Sequence, residues 1–319
     1  MMRGLPQFAL SRLIIGVSAL LVSSFVVFGG LYLAPGSPTD FLLGNRPASP
    51  ELVAQVREQY RLDEPFLSQY GLWLRDAVHG DFGASAIQHR SVGSMLADGI
   101  PITLQIVGMS LILVVVAGMI LGAVAAYRGG LADDLVVAST SVLSATPAFV
   151  AALILVFFFG VELGWLPVFG PGESGSDRVV HLLLPSIALA LAWIPLVTQA
   201  VRSALAKQLG SEYVETAKAR GLGSGRIFWR HVLPNAQRPI LTALGLAVTG
   251  LLASSALVEV VFQLPGVGAM LISSVTSRDF PVVQGACLFL VSAFVAVNIA
   301  VEFATRLLDS PDVVSGVKA

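Results

Sequence analysis

Six stretches of this chain contain no Asp, Glu, Lys or Arg: Leu13–Thr39, Gly99–Tyr127, Leu135–Val161, Leu182–Val201, Pro239–Val258 and Phe280–Val301. They run 27, 29, 27, 20, 20 and 22 residues. A helix crosses the hydrocarbon core of a bilayer with roughly 20 apolar residues, so each stretch is long enough to span. Charged residues are scarce as well as clustered, at 12% of the 319 residues, where a soluble domain carries about 25%. This pattern excludes a soluble enzyme, a disordered chain and a nucleic-acid binder. The net charge of −1 points to no polyanionic partner. The expected fold is all-α, a polytopic membrane protein with six transmembrane helices.

The spans divide the chain. Residues 1–33 hold the N-terminus and the first helix. The apolar run after Arg3 and Arg12 is too long for a signal-peptide core and is followed by no clear small-x-small cleavage site, so the span is expected to be retained. Residues 34–100 form a long loop with amphipathic helices, 101–308 carry spans two to six, and 309–319 form a tail. The loop after the fourth span has seven bases: Arg202, Lys207, Lys218, Arg220, Arg226, Arg230 and Arg238. With a cytoplasmic N-terminus, 12 bases lie on the cytoplasmic side and 2 in the short loops opposite. The positive-inside rule then places both termini in the cytoplasm. Val260–Ser277 is also free of charge, but Gln263, Pro265, Gly266 and Gly268 mark it as a re-entrant or interfacial turn buried in protein. The single cysteine, Cys287, cannot form an internal disulfide.

The first long loop reads as helices on the membrane surface. Ser49 with Pro50 starts one, with Leu52, Val53, Val56 and Tyr60 on one face. Asp63-Glu64-Pro65 starts a second, with Phe66, Tyr70, Trp73 and Leu74 at helical spacing. These faces suit a partner or the interface, and equally a small cap packed on the chain's own spans. The basic loop is patterned differently. Ser211 is placed as an N-cap, Glu212 and Glu215 sit in the first turn, Lys218 and Arg220 in the last, and Gly221 at the position after the C-cap. A second short helix is expected over Ser224–His231, stopped before Pro234. The segment is either an ordinary solvated helix or a short docking knob, with Tyr213, Val214 and Ala217 for a hydrophobic groove.

Glu215-Thr216-Ala217, then Gly221, then Leu233-Pro234 resembles the EAA loop of ABC importer permeases, with the family's spacing. Thr216 stands where that pattern has alanine, and His231 where isoleucine is common. Those departures point to the dipeptide, oligopeptide and nickel importers, where Tyr213-Val214 and Ala217-x-Ala219-x-Gly221-Leu222 are usual, and further motifs resemble that subgroup. They are Gly80-Asp81-Phe82-Gly83-x-Ser85, Gly164-Trp165-Leu166-Pro167, Val258-Glu259-x-x-Phe262-x-x-Pro265-Gly266-x-Gly268, and Arg278-Asp279-Phe280-Pro281-Val282-Val283-Gln284-Gly285. They lie in order from the first span to the last, and the long first loop resembles the B-type permease of the pair. The resemblance implies a type I importer fold in a bacterial plasma (inner) membrane. It implies half of a pore, completed by a second, C-type permease. Two ATPase subunits would hold ATP and Mg, and an extracytoplasmic binding protein would deliver di- or oligopeptides. ATPase coupling would fall to Tyr213, Glu215, Ala217, Arg220, Gly221, Leu233 and Pro234. Glu259, Pro265, Gly266, Gly268 and Asp279 are candidates for a gate or substrate path. Nickel or another small solute is the alternative cargo, and no metal site is expected.

The chain itself carries no nucleotide-binding P-loop, because no Gly-Lys pair occurs in it. It is not expected to be an enzyme. An intramembrane protease would need a nucleophile with a base, or two aspartates, inside the bilayer. The histidines, His79, His89, His181 and His231, lie in loops or at a span edge. A secondary transporter would show buried ionisable residues and inverted repeats, and neither is seen. A stand-alone channel differs from a permease by lacking the basic loop motif. Glu259 sits near the expected outer end of the fifth span, where water could reach it, and either a gating or a structural role fits. Gly118 and Gly122 favour close helix packing. Pro147, Pro185 and Pro195 are expected to kink their spans. Glu302 and Arg306 form a solvated i,i+4 pair.

Overall fold

A computed structural model of the chain describes residues 5–33, 39, 49–59 and 61–308. Tyr60, the side chains of Leu52 and Val56, and the tail from residue 309 lie outside the described residues. Twelve helices are named here in chain order. They are α1 (Leu5–Leu33), α2 (Pro50–Gln59), α3 (Phe66–Val78), α4 (Val92–Arg128), α5 (Gly130–Ala145), α6 (Ala148–Leu155), α7 (Gly175–Leu209), α8 (Glu212–Ala219), α9 (Ser224–Ile227), α10 (Leu233–Val261), α11 (Val267–Ser277) and α12 (Phe280–Leu308). The fold is all-α. Among the described residues, five continuous helices are long and apolar enough to span a membrane, and the pair α5–α6 makes a sixth if counted as one bent span.

That pair departs from the expectation of a kinked helix over Leu135–Val161. The axis turns by 97°. The cause is local: a proline clashes with helical geometry at the residue before it. Thr146 is accordingly extended, at φ −96° and ψ 112°, ahead of Pro147. α6 then widens into a π-helical turn over Val156–Glu162. By contrast α7 runs through Pro185 and Pro195 as one helix of 35 residues. The expected stop before Pro234 is also absent. A π-helical turn over Phe228–Val232 joins α9 to α10, so the helical path continues from Ser224 to Val261. Proline removes one ladder bond and crowds the preceding turn, and the wider π turn gives the chain room to pass it.

The chain divides into two compact units. The first comprises residues 1–103 and 263–296, the second 104–262 and 297–319.

In the first unit, α3 packs on α1. Phe28 is buried, with the rings of Phe66, Tyr70 and Trp73 centred 5.6, 5.6 and 5.5 Å away. Ser24 Oγ lies 2.8 Å from the Tyr70 hydroxyl, and the Tyr32 hydroxyl donates to Gln69 Oε1. The aromatic face read from the sequence is therefore covered by the chain's own first span. A second cluster joins Val92, Met95 and Leu96 of α4 to Val267 of α11 and to Val282 and Ala286 of α12. Gly99 lets α4 approach the turn before α11: a Cβ there would sit 3.3 Å from the Gly266 carbonyl carbon. Thr103 Oγ1 accepts the Val267 N–H at 2.9 Å. α11 has 11 residues, about 16 Å at roughly 1.5 Å per residue, which is too short to span.

In the second unit, α4, α7 and α10 share a core that includes Val114, Ile194, Val197, Val201, Leu205, Ile240 and Ala247. Small residues set its spacing. A Cβ on Gly122 would lie 2.6 Å from Val201 Cβ and 2.7 Å from the Thr198 carbonyl oxygen. One on Gly118 would lie 2.7 Å from Val197 Cγ1. Polar bonds tie α7 to its neighbours. Arg202 binds Asp133 of α5 through two nitrogens, Gln199 Nε2 donates to Thr140 Oγ1 at 3.2 Å, and Ser110 Oγ of α4 donates to the Ser186 carbonyl at 3.0 Å.

The same substitution should have opposite effects at two glycines of α4. At Gly122 an alanine methyl overpacks the core, and we expect a loss of about 1–3 kcal/mol. Gly108 has nothing within 4 Å of the added methyl, and its alanine variant should hold or gain about 0.5–1 kcal/mol from backbone entropy. Thermal unfolding of the two purified variants in one detergent measures the contrast. Equal midpoints would refute the role given to close approach.

Candidate functional site

The basic loop leaves α7 at Gly210 and enters α8 through Ser211, whose backbone is extended (φ −86°, ψ 148°). The Ser211 hydroxyl turns back to the Gln208 carbonyl instead of capping α8. The C-terminus is closed by backbone alone. The Gly221 N–H reaches the Lys218 carbonyl at 2.9 Å, and the Leu222 N–H reaches that of Ala217 at 3.2 Å. This pair of bonds is a Schellman motif, which needs a left-handed residue after the C-cap. Gly221 supplies it at φ +75°.

α8 has two faces. Val214 and Ala217 are buried in the core of the second unit, with Leu205, Ile227 and Val232 in the same cluster. They are therefore anchors within the chain, and the hydrophobic contact with a partner expected of them is corrected: their surface is already covered. The opposite face carries Glu212, Glu215, Thr216 and Ala219, all exposed. Arg220 and Gly221 follow at the exposed C-terminal end. Tyr213 is 38% exposed, and its hydroxyl donates to Gln208 Oε1 at 2.7 Å. Leu233 and Pro234 are half-buried at the start of α10, and Trp229, on the π turn before them, is 70% exposed. The seven residues singled out in this loop thus lie in one unit, on α8, its cap and the start of α10.

The second set of candidates does not lie in one unit. Glu259 belongs to the second unit, and Pro265, Gly266, Gly268 and Asp279 to the first. Glu259 is fully buried within the chain, which corrects the expectation that water reaches it. Gly266 and Gly268 are buried and Pro265 is exposed. Asp279 is 2% exposed. It follows Arg278, whose left-handed backbone (φ +60°) ends α11, and its N–H bonds the Ser274 carbonyl at 2.8 Å. The Asp279 carboxylate accepts the Ser85 hydroxyl and the Ala86 N–H, the latter at 3.2 Å. Two motifs noted separately in the sequence, Gly80–Ser85 and Arg278–Gly285, are therefore one bonded corner. Nothing in a single sequence pairs residues 194 apart. The Asp133–Arg202 pair was missed for a related reason: both residues fell in segments read as loops.

Residues 115–310 match the family described as "Binding-protein-dependent transport system inner membrane component". The chain belongs to that family. Residues 5–107 of this membrane component match the corresponding N-terminal family, described as "Binding-prot-dependent transport system membrane comp, N-term". It is 33% identical over 297 residues to the glutathione transport system permease protein GsiC of Escherichia coli, covering 93% of this chain and 95% of the relative. It is 30% identical over 306 residues to the probable peptide ABC transporter permease protein y4tP of Sinorhizobium fredii, covering 95% and 97%. The dipeptide transport system permease protein DppB of Alkalihalophilus pseudofirmus is 29% identical over 326 residues, covering 95% and 98%. The fold is similar to that of a chain in the inward-facing MetNI methionine ABC transporter structure, with a TM-score of 0.53 and 18% identity over 67% of this chain and 96% of that one. This membrane component is a multi-pass membrane protein of the ABC importer permease type.

The bonded corner makes its own prediction. Asp279→Ala leaves the Ser85 hydroxyl and the Ala86 N–H without their acceptor, at a cost of about 1–3 kcal/mol. The midpoint of thermal unfolding should fall accordingly. An unchanged midpoint would mean that these bonds contribute nothing.

Proposed function

We propose that this chain is one of the two permease subunits of an ATP-driven importer of di- or oligopeptides, and that α8 is its coupling helix. The observation that carries the coupling role is the division of α8 into an anchored face and an exposed face. Val214 and Ala217 key the helix into the core that also holds α7 and α10. A push on the exposed face therefore moves these helices with it, because a close-packed core transmits strain. The side chains of Glu215 and Arg220 make no hydrogen bond or ion pair among the described residues, which leaves them for a partner. In this reading an ATPase subunit receives α8, and ATP-driven closure of the ATPase pair displaces it. ATP and Mg are bound by the partner subunits.

The peptide class rests on the relatives, whose names specify peptide, dipeptide or glutathione transport. The remaining partners are a second, distinct permease of the C-type and an extracytoplasmic peptide-binding protein. Placed by its bases, α8 faces the cytoplasm together with both termini, in the bacterial inner membrane.

Glu215→Arg reverses a charge on an exposed site, so chain stability should stay within about 0.5 kcal/mol of the parent. Recovery of the ATPase subunits with the tagged complex should nevertheless fall. Gly221→Leu forces a side chain into the left-handed region at about 1–2 kcal/mol. It should lower peptide uptake per ATP hydrolysed. Full ATPase recovery together with unchanged uptake in both variants would defeat the coupling assignment.

A further inference from the structure

Trp73 and Gln284 each hold a buried side-chain N–H with no hydrogen-bond acceptor among the described residues, at Nε1 and Nε2 respectively. Such donors are rare in native structures and call for an explanation at each site. These two residues, brought together from α3 and the second turn of α12, line the same cavity in the first unit, of about 290 Å³. Gln284 is only 5% exposed.

The rest of the lining is chemically mixed. Arg61 and the carboxylates of Asp76 and Asp81 also border the cavity, among aromatic walls that include Phe28 and Phe82. Asp76 uses Oδ1 toward Arg75, 3.1 Å away. Asp81 uses Oδ1 to accept the Gly83 N–H at 2.9 Å. Arg61 is exposed and held in a left-handed backbone, φ +52°. Strained backbone of that kind collects at binding sites. Two orphaned N–H groups and a guanidinium ask for an anionic oxygen ligand, while two carboxylates beside them disfavour a bare anion and ask for a cation. One small molecule answers both demands.

We propose that this cavity is a binding site for a small zwitterion, with its anionic oxygens met by Gln284, Trp73 and Arg61 and its ammonium by Asp76 and Asp81. The volume sits at the lower end of ligand pockets, about 300–1,000 Å³, which suits a short peptide. An aminophospholipid headgroup presents the same pair of charges. The zwitterion chemistry stands on the cavity alone. Only the choice of a dipeptide as first probe rests on the transport reading.

The test uses the full complex purified in detergent, without ATP or binding protein. Thermal unfolding is followed during titration with Ala-Ala, and with N-acetyl-Ala-Ala amide, which lacks both charges. A saturable rise of roughly 3 °C at ten times Kd is expected for Ala-Ala, with none for the blocked peptide. The rise should vanish in Gln284→Leu and in Arg61→Ala. Without ligand, Gln284→Leu should be no less stable than the parent, because it removes an unpaired donor. A parallel arm compares nanodiscs of phosphatidylethanolamine with nanodiscs of phosphatidylglycerol, which keeps the phosphate and lacks the ammonium. A Gln284-dependent stabilisation by the first lipid alone assigns the zwitterion to the headgroup.

Three outcomes overturn the proposal: no stabilisation in either arm, the same response in both variants as in the parent, or a lower midpoint for unliganded Gln284→Leu. The last would mean that an ordered water pairs the donor. None of these touches the coupling role of α8, which is read from ATPase recovery.

Discussion

Inside a bilayer the backbone has no water to bond, so every N–H and C=O at that depth must find a partner in protein. The organisation of this chain follows from that demand. It explains why the apolar stretches are helices, and why departures from helix occur where a substitute is available. At Thr146–Pro147 the ladder is cut, and the chain turns by 97° before starting again. Between α10 and α11 the turn over Phe262–Gly266 supplies its own bonds. The Phe262 N–H goes to the Val258 carbonyl at 3.0 Å and the Gly266 N–H to that of Leu264 at 2.9 Å. The Val267 N–H, the first of α11, goes to Thr103.

Once helices are obligatory, their packing cannot rely on the hydrophobic effect, because lipid is as apolar as leucine. Close approach and polar bonds between helices take over. In the second unit Gly118 and Gly122 bring α4 onto α7, and Gly250 admits the Trp193 ring, whose Cη2 would lie 1.8 Å from an added Cβ. Trp193 Nε1 then reaches Ser254 Oγ at 3.3 Å. A seam of this kind leaves little freedom to slide. In the coupling role proposed for α8, motion applied to it would reach α7 and α10 as displacement of whole helices, with a helix of 8 residues as the lever.

How much was legible in the sequence depended on the range of the interaction involved. The all-α fold, the glycine that ends α8 and the aromatic face of α3 are local or periodic properties, and each was readable from spacing; the Ser211 cap and the helix α11, read as a turn, were not. Which side of α8 is buried was not, because Val214 and Ala217 look equally suited to a partner's groove and to the chain's own core. Only the position of Leu205, Ile227 and Val232 decides it. Glu259 shows the same limit. Its place near a helix end suggested water, and burial is set by what surrounds that end. The prolines mark a third limit: Pro185 and Pro195 leave α7 whole while Pro147 breaks its span, and what distinguishes them is the extended backbone that Thr146 adopts.

Charge was the most informative signal and also the most misleading about length. The spans α4, α7, α10 and α12 outrun the charge-free stretches that announced them: α4 starts at Val92 instead of Gly99, and α7 covers 175–209 instead of 182–201. A charge ends an apolar stretch without ending a helix, provided that it reaches water or a partner. Asp133 and Arg202 meet the second condition with each other, and Asp279 meets it with Ser85 and Ala86. Polar residues at span edges thus tie helix to helix or loop to helix while marking the boundary in the sequence. Trp73 and Gln284 differ from these residues because their buried donors find no such partner among the described residues, and they share one cavity, which is the physical ground for seeking a ligand there.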